Sequence, residues 1–433
     1  MKKAKSSAAE FIWLTKPVEI IACFISDPED LLDYLIALEP TNRLGDLVHL
    51  LDILDQADRK EHIWPTLQVT SHTVNNPALR AVVKYYSQIL LSEACDYSWL
   101  DLAPSARVHL MTCPATQDKN VLANWYKHLT RLPISRITWT SDSDEDLFLE
   151  ALPHLPHLKG LRLATRFSSM KRLLDYVSTS KLKEFDTGRA ITSYNDDAEQ
   201  YYTHLTTWLR AQPVEVLSFD MKALAKAGDD IAQAFFSALA QSTSLTTLTL
   251  PLLNMHLVRR YSFCLPKSVR TLNLRLFSAG EGAILAGLIR NSNLEDLHIP
   301  CSTFSMGIHF PLLFKSLPTS LKTLDLSECQ LTSDDCHALG EVLPSTSIEN
   351  LDLSANNVGD EGLGFISQTL QASSLHKLNI NDTGLTALGV AVLIQAALTK
   401  QEFFIRMERN DWGDETKNKL RALAQRGNTH VWI

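Results

Sequence analysis

Side chains that could do chemistry are few in this 433-residue chain, and their spacing does not suit catalysis. The seven cysteines are Cys23, Cys95, Cys113, Cys264, Cys301, Cys329 and Cys336. None forms a C-x-x-C pair, and an odd, scattered set reads as reduced thiols rather than a disulfide framework. No H-E-x-x-H occurs. Leu152-Pro-His154-Leu-Pro-His157 places two histidines three apart, but a proline beside each points to a loop, not a zinc site. There is no G-x-x-x-x-G-K-[ST] phosphate cradle, and Gly359-Asp-Glu-Gly362-Leu-Gly364 reads as a turn opening a helix. The expectation is a non-enzymatic protein with no metal and no cofactor.

Composition narrows the class further. Apolar residues make up 45% and charged residues 21%, which is globular. Lys plus Arg is 41 against Asp plus Glu 49, a net charge of −8 with no long basic run, so nucleic acid and anionic membranes are poor partners. Glu10, Lys16 and Glu19 interrupt what would be the apolar core of a secretory signal. The cleanest apolar run, Leu388 to Leu398, is far short of the ~20 residues of a membrane helix. The chain is expected to be cytoplasmic, or exported into a host cell without an N-terminal signal peptide.

What organises the chain is a repeat. Leu321-Lys-Thr-Leu324-Asp-Leu326-Ser-Glu-Cys329-Gln-Leu331 recurs as Ile348-Glu-Asn-Leu351-Asp-Leu353-Ser-Ala-Asn356-Asn-Val358 and as Leu375-His-Lys-Leu378-Asn-Ile380-Asn-Asp-Thr383-Gly-Leu385, each 27 residues on. The apolar residues alternate as strand positions do, the Asn or Cys marks a turn whose polar side chain can satisfy a neighbouring coil's backbone, and the return segments carry helix N-cap signals. Fainter copies lead back through Leu294, Val269, Leu245, Val214, Leu182 and Leu158 to Ile134, and a terminal copy runs Ile405, Met407, Asn410, Trp412. About eleven coils stepping by 24 to 32 residues then fill 131–433, closed by a C-terminal cap. The longest step holds Ser193-Tyr-Asn-Asp-Asp197 and a helical stretch, Tyr201 to Leu209.

The repeat resembles the ribonuclease-inhibitor-like class of leucine-rich repeats. That resemblance implies an α/β solenoid, a horseshoe with parallel concave strands and convex helices. Residues 1–130 lack the repeat and are predicted to be an all-α N-terminal domain. Within it, residues 14–38, from Leu14-Thr-Lys-Pro17-Val-Glu19-Ile20-Ile21 through Phe24 to Leu31, resemble the start of an F-box. The F-box resemblance implies a Skp1-binding face at Pro17, Glu19, Ile20, Ile21, Phe24 and Leu31, and a substrate receptor of a Skp1–cullin ubiquitin ligase. Lys16 intrudes between Leu14 and Pro17, the usual loop is two residues short after Ser26, and the third helix shows no Val-Cys-x-x-Trp-like run. The other reading of the segment is an ordinary first helix with proline at its N-terminus.

On such strands the residues flanking the second apolar position face outward. They include Arg136 and Arg162, then Glu184, Asp186, Asp296, His298, Asp325, Asp352, Lys377 and Asn379, with Glu328 and Asp382 just beyond the strands. The order runs from basic to acidic, so the expected function is recognition of a partner protein across the concave face. The whole resembles leucine-rich-repeat effectors that bacteria deliver into host cells, which implies a host protein as partner.

Overall fold

The computed structural model describes residues 17–433, except 58, 71–72, 93–95, 104, 115–117, 141–143, 189–196, 275–281, 301–309 and 411. Cys95, Arg275, Cys301 and residues 193–196 of the long repeat step therefore lie outside the described residues. The chain divides into two compact units, Met1–Thr192 and Ser193–Ile433.

The first unit begins with helices. Pro28–Leu38 is capped by Asp27, whose carboxylate accepts the Glu29 and Asp30 N–H groups, and it buries Leu31, Leu32 and Leu35. Leu47–Gln56 follows, burying Leu47, Leu50, Leu51 and Leu54 at the spacing of one helical face. Six parallel strands come next: β1 (Thr66–Val69), β2 (Gln88–Leu91), β3 (Arg107–Leu110), β4 (Ile134–Trp139), β5 (Gly160–Leu163) and β6 (Glu184–Asp186). Each pairs with the next in chain order.

Strands β1 to β3 correct the expectation of an all-α region up to residue 130: parallel strands begin at Thr66, and the helices Pro77–Val82 and Lys119–Leu129 alternate with them. Each of these strands is only four residues long and has just two inward apolar positions, Leu67 and Val69, Ile89 and Leu91, Val108 and Leu110. Two alternations are too few to stand out from the helical spacing around them.

In the second unit nine strands follow the same rule: β7 (Val216–Ser218), β8 (Thr247–Leu250), β9 (Thr271–Leu274), β10 (Asp296–His298), β11 (Thr323–Asp325), β12 (Asn350–Asp352), β13 (Lys377–Asn379), β14 (Phe403–Arg406) and β15 (Thr429–Trp432). Leu217, Leu248, Leu272, Leu297, Leu324, Leu351, Leu378, Ile405 and Val431 stand in register across all nine. All but the last are at most 2% exposed, so the repeated leucine forms one apolar spine through this unit. Helices return between the strands, as in Ser333–Val342, which opens with a capping box between Thr332 and Asp335. The long step contains the helix Ala198–Ala211, over the stretch predicted helical. This is an α/β solenoid of parallel strands and returning helices. No helix among the described residues is long and apolar enough to cross a membrane.

Candidate functional site: the open strand faces

The strand side chains that do not enter the spine form an open face on each unit. On the first unit, His109, Arg136, Gly160 and Glu184 stand in one row, and Thr138, Arg162 and Asp186 in the next. Two of the predicted acids meet the two predicted arginines here. Arg136 pairs with Glu184, and Arg162 Nε lies 3.4 Å from Asp186 Oδ2. The basic-to-acidic trend of the sequence is therefore not a separation of charge in this unit, because the parallel register brings both signs together across the strands.

The first pairing passes directly over Gly160. A Cβ there would lie 2.9 Å from Glu184 Oε2 and 3.1 Å from Arg136 Nε, so a larger residue would make these two flexible side chains shift.

His109 anchors the edge of this cluster, with Nε2 2.9 Å from Thr138 Oγ1. Burial, with the nearby Arg136 and Arg162 charges, pushes its pKa down from 6.5 to about 4. The imidazole is neutral at neutral pH. The unfolded chain takes up this proton below 6.5, whereas the folded chain resists until about 4, so stability is full above that window and is lost as pH falls through it. The group is only half-buried, and solvent screening limits the loss to about 1–2 kcal/mol. An NMR titration of His109 should give a midpoint near 4. A midpoint near the free-imidazole value would show that the packing has no such effect.

The second unit's face carries a cleft of about 500 Å³ lined by side chains from β10 to β15. One row across it reads His298, Asp325, Asp352, Asn379, Arg406, Trp432. The row beside it reads Asp296, Thr323, Asn350, Lys377, Phe404, His430. Both carboxylates of the first row are fixed by the chain. Asp325 Oδ1 accepts the Ser327 N–H at 2.9 Å, and Oδ2 lies 3.3 Å from His298 Nδ1. Burial alone would raise the Asp325 pKa, but the His298 and Ser327 hydrogen bonds outweigh it and hold the carboxyl below its ordinary value. Asp352 Oδ1 accepts the Ser354 N–H at 2.8 Å, and Asn379 Nδ2 donates to Oδ2 at 2.8 Å.

The opposite wall is cationic and aromatic. Phe404 stacks on His430 at 4.8 Å and on Trp432 at 5.6 Å between centroids. Lys377 Nζ lies 5.8 Å from the Phe404 ring centre, and the Arg406 guanidinium 5.9 Å from that of Trp432. Among the described residues neither cation has a carboxylate within ion-pair distance, and Trp432 is 44% exposed.

Of the residues predicted from sequence, the cleft gathers His298, Asp325, Asp352, Lys377 and Asn379. Asp296 shares β10 with His298 but does not line the cleft, and it accepts a hydrogen bond from Thr271 Oγ1 at 3.0 Å. Glu328 and Asp382 sit at left-handed turn positions after their strands, exposed but away from the cleft. Phe404, Arg406 and Trp432 lie outside the predicted set, yet the sequence carries a signal for the first two. Ile405 follows Leu378 by the same 27 residues that separate the strong copies, which puts Phe404 and Arg406 at the outward positions.

The F-box-like residues are divided. Ile20, Ile21 and Phe24 are exposed, Phe24 by 84%, and Pro17 is exposed too. Leu31 is fully buried in the helical core, and Glu19 accepts the Tyr85 hydroxyl at 2.7 Å. Residues 14–16 of that segment lie outside the described residues. Among the described residues no three His, Cys, Asp or Glu side chains gather as a metal site.

No family model matches the chain, and no curated protein matches it. Among solved structures, a chain of the crystal structure of the Rad7 and Elc1 complex in yeast is similar at 15% identity and a TM-score of 0.42, over 84% of this chain and 95% of that one.

Proposed function

We propose that the protein is a non-enzymatic interaction module that binds a partner protein on the strand face of its second unit. The observation that carries this reading is the cleft over β10 to β15, where acids, unpaired cations and an exposed tryptophan converge from six successive strands. Charged groups of both signs around exposed aromatic surface favour a protein partner, because aromatics and arginine supply binding energy while the charges set orientation. The resemblance to delivered effectors makes a host protein the expected partner.

A second reading rests on the exposed Ile20, Ile21 and Phe24, an apolar face that a Skp1-type adaptor would cover. One experiment separates the two. The intact protein is used to capture partners from bacterial and host-cell lysates, with captured proteins cross-linked and mapped. Two variants run beside it, Asp352→Lys with Arg406→Glu and Ile20→Asp with Phe24→Asp. The first reading expects cross-links at β10 to β15 and loss of the partner only in the first variant. Capture of Skp1, lost only in the second variant, establishes the adaptor reading instead. Cross-links confined to the returning helices would sink both.

A further inference from the structure

The strand-face reading says where a partner sits but not what it presents, and the cleft's charges narrow that choice. We infer that the cleft of the second unit takes an extended peptide segment of the partner in which a basic side chain and an acidic one are spaced about three to four residues apart, with an apolar or aromatic residue beside the acid. The inference rests on the strand-face reading and goes beyond it to the ligand's chemistry.

The row Asp325, Asp352, Asn379, Arg406, Trp432 is ordered by charge: two acids, a neutral amide, a cation and an aromatic ring. Neighbouring strands lie about 4.8 Å apart, so Arg406 is about 10 Å from Asp352 and about 14 Å from Asp325 along the row. An extended chain advances about 3.3 Å per residue, and about three to four residues span that gap.

The acidic end has room for a cation. A carboxylate has about four acceptor positions. The Asp352 carboxylate uses three, on Ser354 N–H, Ser354 Oγ and Asn379 Nδ2. Asp325 likewise engages Ser327 N–H, Ser327 Oγ and His298. These bonds hold both carboxylates in place without bringing a Lys or Arg against them, because no Lys or Arg among the described residues pairs with either.

The other end lacks an anion. Lys377 and Arg406 stand on adjacent strands and lean on Phe404 and Trp432, with no carboxylate within reach among the described residues. Their aromatic supports fix the cations while leaving their donors free. The exposed Trp432 beside them offers a flat apolar surface to the residue next to the ligand's acid.

Peptides labelled at the N-terminus and amidated at the C-terminus test this with the full-length protein. Each carries one Lys and one Glu flanked by Leu, on an alanine–serine backbone, with the Glu placed from one to six residues away in either direction. Binding is read by fluorescence anisotropy of an N-terminal label. The expected result is an affinity maximum at a spacing of three to four. That maximum should fall at least tenfold for Lys377→Glu with Arg406→Glu, and exchanging the peptide's Glu for Lys should restore part of the loss. A flat spacing series, binding that survives the double reversal, or no binding up to about 1 mM peptide would overturn the inference. Partner capture that still depends on Asp352 and Arg406 beside a flat peptide series would refute the spaced-charge ligand while leaving the strand-face reading standing. Loss of both results would refute both.

Discussion

Replacing Asn356 with alanine should destabilise the second unit by about 3 kcal/mol, although the residue does not line the cleft. Its side chain is 4% exposed and joins two coils. Oδ1 accepts the Leu331 N–H at 3.0 Å, and Nδ2 donates to the carbonyls of Leu326 at 2.9 Å, Leu353 at 2.8 Å and Ser354 at 3.2 Å. Alanine removes these bonds from a site that water does not reach. Each buried backbone group left unpaired costs about 1–3 kcal/mol. Aspartate should be no better, since it can accept from Leu331 but cannot donate to the carbonyls, and it brings a charge into the interior. The adjacent Asn357 is exposed, and its alanine variant should lie within about 0.5 kcal/mol of the parent protein. Urea unfolding of the two variants provides the comparison, and equal midpoints would show that Asn356 does not join the coils.

Asn356 also shows how much of the fold can be read from residue order. A polar residue at the turn of the repeat is expected to satisfy a neighbouring coil's backbone. Asn356 does so, as does Asn410, whose Oδ1 lies 3.3 Å from the N–H groups of both Thr383 and Leu385. At the equivalent place Cys329 donates its thiol to the Ile299 carbonyl at 3.1 Å. The spine from Leu217 to Leu378 was legible because each leucine recurs with apolar neighbours at fixed offsets. Strands β1 to β3 were not, because they keep the alternation without the flanking leucines. At the site, outward positions follow from strand alternation, so His298, Asp325, Asp352, Lys377 and Asn379 could be placed. Which charges neutralise one another could not. The ion pair of Arg136 with Glu184 spans 48 residues and passes over Gly160 between them, and such a pairing belongs to the register, not to local spacing. The Phe404, His430 and Trp432 stack was hidden for a related reason: its rings come from two strands, the second outside the counted repeats.

The largest stability loss should come from Leu324→Ala, at about 3–4 kcal/mol. Leu324 is fully buried, in register between Leu297 on one side and Leu351 on the other, and it underlies the cleft. Removing its branched end forfeits the transfer energy of the lost methyl groups and leaves a cavity that the flanking coils cannot both close, because each is held by the next. Val431 tests the reasoning at the other extreme. It is half-buried on β15, the last strand, and pairs only with Ile405 among the described residues. Its alanine variant should cost less than about 1 kcal/mol, since it loses two methylene equivalents from a half-buried site on a strand with one neighbour. In a repeat array each coil is stabilised by its neighbours, so the damage from Leu324→Ala should also be local at first. Amide hydrogen exchange should show protection lost in β10 to β12 while β7 and β8 keep theirs. Equal losses for the two variants, or exchange that rises uniformly through β7 to β15, would mean that the spine is not the chain of nearest-neighbour contacts its register describes.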